Sequence, residues 1–301
     1  MKNKMIGYII YGVTALCTAF IIFVIVYLLV TIFINGKGNL TWQFLTESPS
    51  EGMTEGGIFP AIVGTFFLVI VMTLIGVPIG TITAIYLNEY ASKKQAFFVR
   101  TIRFAVNTLA GVPSIVFGLF GLGFFIQFIG AGIDKSLYHG ELHWGQPCLF
   151  WAGMTMAFLT IPVVIVSVEE ALKNVPDDLR AGSLALGATR WQTIYKIVLP
   201  NAMSGIMTGT ILAISRGAGE VAPILFTGAA YFLPKLPGSL TDQFMNLGYH
   251  IYVMSTQSTD VEATKGIQFA TVLVLLAITF GLNLIAVIIR YRHRMKNYNY
   301  S

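Results

Sequence analysis

Arg216 and Glu220 are the only ionisable side chains in the otherwise apolar stretch 197–227. Four residues apart, they share one face if the segment is helical. An ionised group inside a bilayer costs about 2.5 kcal/mol or more, so such a pair should face a bundle interior or a water-filled path. Arginine suits a tetrahedral oxyanion because its planar fork donates two parallel hydrogen bonds and never loses its charge. Glu220 can hold that guanidinium in place or accept a proton from a protonated phosphate. Sulfate has no proton to give, which favours phosphate. The competing reading is a mutually neutralised pair that only fixes packing. Gly217 and Gly219 flank the pair and leave room for a ligand or helix; upstream, Gly205 and Gly209 with Ser204 and Thr208 form a small-residue face for helix packing.

Just before this stretch lies a polar, charged, helix-forming segment, 177–198. Val175-Pro176-Asp177-Asp178 reads as a helix start, with proline in the first turn and acids at the positive end of the helix dipole. The helix should break near Gly187, and Thr189 can cap a second one running through Trp191, Ile194, Tyr195 and Val198. Two short helices at an angle, lying against a membrane, are expected. The small residues Ala181, Gly182, Ser183, Ala185, Gly187 and Ala188 leave room for close approach by another surface, which an amphipathic anchor alone would not need.

The elements that must position these groups are membrane spans. The chain of 301 residues is 55% hydrophobic and 11% charged, with a mean hydropathy of +0.73. No Asp, Glu, Lys or Arg occurs in 5–36, 56–88, 104–133, 142–168 or 266–289. Each run exceeds the roughly 20 residues a bilayer core requires. With the charged pair's own segment this predicts an all-α, polytopic membrane protein of six spans, at about 6–34, 59–87, 104–130, 148–168, 199–227 and 267–289, in one transmembrane domain covering 1–301. The first apolar run is too long for a signal peptide and is expected to be a retained, lipid-facing helix. Most of the 19 Lys and Arg fall on one side if both termini are cytoplasmic: Lys2, Lys4, Lys93, Lys94, Arg100, Arg103, Lys173, Arg180, Arg190, Lys196 and the run Arg290 to Lys296. The net charge of +5 thus reflects insertion and contact with inner-leaflet lipid, and nucleic acid is not expected as a partner. Cys17 and Cys148 both fall in spans, which argues against a disulfide framework or thiol metal site.

Smaller signals complete the pass. Gly76 and Gly80 suit helix packing around Pro78, and Pro162 should kink the fourth span. Asn107, Thr108 and Ser114 near Pro113 could line a cavity or bond between helices. Glu47, Glu51 and Glu55 suit a solvated outer connection. The loop bearing Asp134, His139, Glu141 and His143 is expected to be solvated surface and no metal site. The segment 228–265 reads as a long external loop that caps the pathway or meets a delivery protein.

Gly187, nine residues, then Ile197-x-Leu199-Pro200 resembles the cytoplasmic signature of ABC importer permeases. Further stretches, Gly57-Ile58-x-Pro60-Ala61-Ile62-Val63-Gly64-Thr65, Tyr86-Leu87-Asn88-Glu89-Tyr90-Ala91, Leu109-Ala110-Gly111-Val112-Pro113-Ser114 and Arg216-x-x-Gly219-Glu220-x-Ala222-Pro223, resemble the PstA type of phosphate permease. The resemblance covers nearly the whole chain. It implies a type I importer (MetI-like) architecture in the cytoplasmic membrane of a bacterium or archaeon. It also implies a PstC-type permease partner, a dimer of PstB-type ATP-binding subunits and an external phosphate-binding protein. Docking on the ATPase would fall to Leu179, Arg180, Ala181, Ala185, Leu186, Gly187, Ala188, Thr189 and Trp191, and phosphate handling to Arg216 and Glu220. The family signature begins Glu-Ala-Ala, where this chain has Ala181-Gly182-Ser183, so the usual acidic contact is missing. There is no Gly-x4-Gly-Lys-Ser/Thr loop, so ATP and magnesium belong on the partner and no cofactor is expected here. The rivals are a permease for sulfate or molybdate, a membrane signalling or scaffold protein, and a membrane enzyme; the last lacks any nucleophile–base pair, paired acids or metal cluster.

Overall fold

The computed structural model describes residues 2–50, 55–91, 96–258 and 261–298. Glu51, Lys93 and Lys94 lie outside them, and so do the side chains of Lys2, Arg294 and Lys296. Among the described residues six helical stretches are long and apolar enough to cross a membrane.

Helix α1 (Lys2–Gly36) is exposed along nearly its whole length and meets the rest of the chain at α12 (Val261–Tyr298), where Gly36 lies against Phe269 and Leu273. A short helix α2 (Trp42–Thr46), capped by Thr41, and a two-residue antiparallel pair, β1 (Pro49–Ser50) with β2 (Glu55–Gly56), lead into α3. Helix α3 (Phe59–Ile85) carries Pro60 in its first turn, where a missing N–H costs nothing, and continues as a wider π-helical turn over Tyr86–Tyr90. At the centre stands α7 (Leu149–Lys173), the most buried span. Helix α3 reaches it at Gly76, against Ala157 and Thr160, and at Gly80, against Val164. Helix α10 (Leu199–Gly219) reaches it at Gly205, against Ala171, and at Gly209, against Ser167. The close helix contacts expected at these glycines are therefore made, while Ser204 and Thr208 turn elsewhere.

Several stretches differ from the sequence expectation. First, the third span does not run through 104–130. A separate helix α4 (Ala96–Ala110) ends before Pro113, which is extended (ψ 138°). A proline disfavours helical backbone in the residue before it and offers no N–H to the preceding turn. The span proper, Ser114–Leu137, comprises α5 (Ser114–Phe120), a π-helical stretch Gly121–Gly130 and α6 (Ala131–Leu137).

Second, Asp134 is not solvated. It lies within α6 at 2% exposure, and its carboxylate accepts the backbone N–H groups of His143, Trp144 and Gly145 at 2.6–3.1 Å. That fold-back also places the Trp144 carbonyl where the Trp151 indole donates to it. Third, the fifth span ends at Gly219 and not at 227. Glu220 is extended (ψ 136°), and a 3-10 turn, Ala222–Leu225, built around Pro223 follows.

Fourth, 228–265 is only partly loop. It supplies the carbonyls of Leu240 and Asp242 to the free N–H groups of Phe150 and Leu149 at the start of α7, beside the Thr227 carbonyl, which accepts from Cys148. It then forms α11 (Leu247–Thr256), whose cap Asn246 and first N–H both bond to Thr65 on α3.

The polar segment becomes α8 (Asp177–Ala185), a turn at Gly187 with φ +84°, and α9 (Arg190–Thr193). Gly187 tolerates that left-handed backbone because it has no Cβ. The second helix is not a separate short one. It passes through a π-helical turn, Ile194–Val198, straight into α10, forming one 30-residue helix, Arg190–Gly219.

Candidate functional site

The charged pair sits where two elements end. Gly217 lies against Met72, the middle residue of the 27-residue α3, and near the Met156 methyl of α7. Arg216 is therefore at mid-depth of the bundle, which a straight helix starting at Pro200 would not have predicted. Because α10 stops at Gly219, Arg216 and Glu220 are not on one helical face; the extended turn brings them to 3.8 Å, Nε to Oε1. That separation is an ion contact and too long for a hydrogen bond. Among the described residues neither side chain makes a hydrogen bond, and they are 39% and 27% exposed. An arginine with five N–H donors, all unspent, thus opens off the free face of α10 halfway through the bundle. The turn after it is held from behind: Gly118 of α5 lies against the carbonyls of Ala222 and Pro223, and Gly121 against Thr227.

The second group of candidates lies at the α8–α9 end. Thr189 caps α9 in a reciprocal box, its hydroxyl accepting from the Gln192 N–H and the Gln192 side chain from the Thr189 N–H. Leu179, Ala181, Ala185 and Trp191 are exposed, Ala188 is half-buried, and Leu186 projects at 91% exposure. Arg180 differs from its neighbours by turning inward. It reaches Glu89 at 2.9 and 3.4 Å, the carbonyls of Val175 and Leu172 at 2.6 and 2.7 Å, and Asp177 at 3.1 Å. Its guanidinium clamps α8 to the ends of α3 and α7. A second clamp joins Arg103 of α4 to Glu169 of α7 at 3.1 Å, with Lys173 at 4.0 Å. Sequence reasoning missed both, because their partners lie 91 and 66 residues apart. The available signal was an acid closing each apolar run, Glu89 after the second and Glu169 after the fourth.

Among the described residues no three or more His, Cys, Asp or Glu side chains are grouped closely enough to hold a metal ion. His143 contacts Glu141 at 3.8 Å and packs on Tyr138.

The sequence pattern of "binding-protein-dependent transport system inner membrane component" proteins matches residues 76–294. The chain belongs to this family. Over 94% of its length the permease is 32% identical to the "Probable ABC transporter permease protein YqgI" of Bacillus subtilis, covering 95% of that protein. It is 34% identical to the "Phosphate transport system permease protein PstA" of Haemophilus influenzae over 77% of its own chain and 75% of that one. Among solved structures, a chain from the crystal structure of a bacterial alginate ABC transporter superposes with a TM-score of 0.68 at 16% identity, covering 95% of this chain and 94% of that one. A chain of the MetNI methionine transporter gives 0.59 at 18%, covering 81% and 99%. At such identities the structures establish the fold, that of type I importer permeases. The permease is thus a multi-pass inner-membrane transport subunit.

Proposed function

We propose that this chain is one half of the translocation path of an ATP-driven inorganic phosphate importer. Arg216 carries the proposal: a permanently charged fork at mid-depth, open on the free face of α10, with no hydrogen bond to its side chain among the described residues. A phosphate oxyanion satisfies those donors, and Glu220 at 3.8 Å both steadies the guanidinium and can take the proton of a monobasic phosphate. The relatives named as phosphate permeases support this substrate over sulfate or molybdate.

In this reading both termini and the α8–α9 end are cytoplasmic, and a PstC-type permease closes the open side of the path. An external phosphate-binding protein delivers at the 228–246 end, and a PstB-type ATPase dimer, which holds the ATP and magnesium, docks on the exposed apolar residues around Leu186. The rigid Arg190–Gly219 helix links docking to transport, because movement imposed at Thr189 and Trp191 is carried along one helix to Arg216. Asp178, exposed in the first turn of α8, stands in for the acid that Ala181 lacks.

The test is ATP-dependent uptake of labelled phosphate and sulfate by vesicles holding the whole complex. Phosphate alone should accumulate, and Arg216→Ala should reduce uptake about tenfold or more while the complex still assembles. Undiminished uptake without the arginine makes the pair a packing device, and sulfate uptake equal to phosphate removes the substrate assignment.

A further inference from the structure

Arg290 is at the end of the sixth span, where α12 packs against α10. The two helices run antiparallel and are tied twice. Ser215 donates to the Asn283 amide oxygen, and seven residues further along each helix Arg290 Nη1 donates to Thr208 Oγ1 at 2.9 Å. Between that second tie and the helix end opens a cleft of about 300 Å³ lined by Ser204, Gly205, Thr208, Val287, Arg290 and Tyr291.

Unlike Arg103, Arg180 and Arg216, Arg290 has no carboxylate within 4 Å among the described residues, a condition it shares with Arg100, Arg190 and Arg292. One N–H is spent on Thr208, and the guanidinium's other donors have no described partner. The Thr208 hydroxyl spends its own proton on the Ser204 carbonyl at 2.8 Å and so only holds the guanidinium; the Ser204 hydroxyl, the Tyr291 phenol and the remaining Arg290 N–H groups around one open cleft form a donor set for a tetrahedral anion. Ser204 and Thr208 continue along α10 from Arg216, and Thr208 is eight residues, about 12 Å of helix, from it.

We propose that this cleft is a second phosphate-group site, at which Arg290, held by Thr208 and assisted by Ser204 and Tyr291, binds either phosphate leaving Arg216 or the headgroup of an anionic phospholipid. The first source rests on the reading of the permease as a phosphate carrier; the second does not. A basic cleft between helices at a membrane face suits both.

The experiment compares wild type, Arg290→Gln and Thr208→Val in the whole complex, reconstituted in vesicles of phosphatidylcholine alone or with added phosphatidylglycerol. Phosphate uptake is measured, and bound phospholipid is counted by native mass spectrometry. Phosphate in transit predicts that both variants lose uptake about tenfold in both vesicle types. A headgroup predicts wild-type uptake in phosphatidylcholine for all three proteins. Stimulation by phosphatidylglycerol and retention of bound phosphatidylglycerol should then both be lost in the variants. Thr208→Val removes a hydroxyl and no charge, so it carries the test if Arg290→Gln fails to assemble. Variants indistinguishable from wild type in uptake and in bound lipid overturn the site. Absence of wild-type phosphate uptake overturns the carrier reading instead, and bound lipid alone then decides the cleft.

Discussion

His250 on α11 is 2% exposed, and among the described residues neither ring nitrogen has a hydrogen-bond partner. Burial alone pushes its pKa down from the usual 6.5 to about 4, because the imidazolium cannot be solvated there. The folded pKa lies below the unfolded one, so the unfolded chain binds the extra proton between them. Stability is therefore fully present above about 6.5 and falls as pH drops towards 4, by up to about 3 kcal/mol. Melting temperature of the assembled complex should decline from pH 7 to pH 5, and His250→Leu should flatten that decline. An unchanged slope in the variant would assign the titration to another group. In sequence His250 was simply part of an aromatic run in an outer segment; nothing local says that α11 packs its ring inward. Arg216 was the opposite case. A lone charge in an apolar run announces itself at any depth, but its separation from Glu220 and its lack of hydrogen bonds depend on where α10 stops.

At the scale of elements, α8 is short and has no buried residue of its own. What holds it is the Arg180 clamp, whose carboxylate partner comes from the turn after α3. Both side chains of this pair are largely buried, and removing one partner of such a pair costs about 3 kcal/mol. Glu89→Gln is accordingly expected to speed hydrogen exchange of the α8 amides strongly while leaving those of α7 near their wild-type rates. Equal protection of α8 in the variant would show that the backbone carbonyls of Leu172 and Val175 suffice. The two-helix pattern broken at Gly187 and capped at Thr189 was readable from residue types, since left-handed backbone selects glycine and a helix start selects a hydroxyl. The fusion of α9 with α10 was not. No breaker separates 190–219 except Pro200, and a proline in the first turn after a π-helical stretch starts the next turn as readily as it ends one.

For the molecule as a whole, the exposed features point to an assembly. Arg216 opens off one side, and Leu186, Trp191 and Leu184 project from one end, Leu186 at 91% exposure. Burying a leucine side chain contributes about 2 kcal/mol, and a carboxylate in its place adds desolvation. Leu186→Asp is expected to reduce copurification of the ATP-binding subunit and ATP-driven uptake together, with the variant's own melting temperature unchanged because Leu186 supports nothing within the chain. Normal copurification with the aspartate in place would move the docking surface away from this end.

Six apolar runs, a mid-span arginine and a glycine-broken polar segment are compositional and periodic facts, and they determined the class, the spans as a set and both candidate sites from the sequence alone. A bilayer makes this possible, because it demands long apolar helices whatever they pack against. Only the tertiary structure decided that α4 and α10 stop at Ala110 and Gly219, that Asp134 is buried under three backbone N–H groups, that Arg180 turns inward to Glu89, and that Arg290 reaches Thr208. Each of these joins groups from different elements or depends on which turn a neighbouring helix supports. Local residue types do not encode such pairings; packing selects them after the spans have formed.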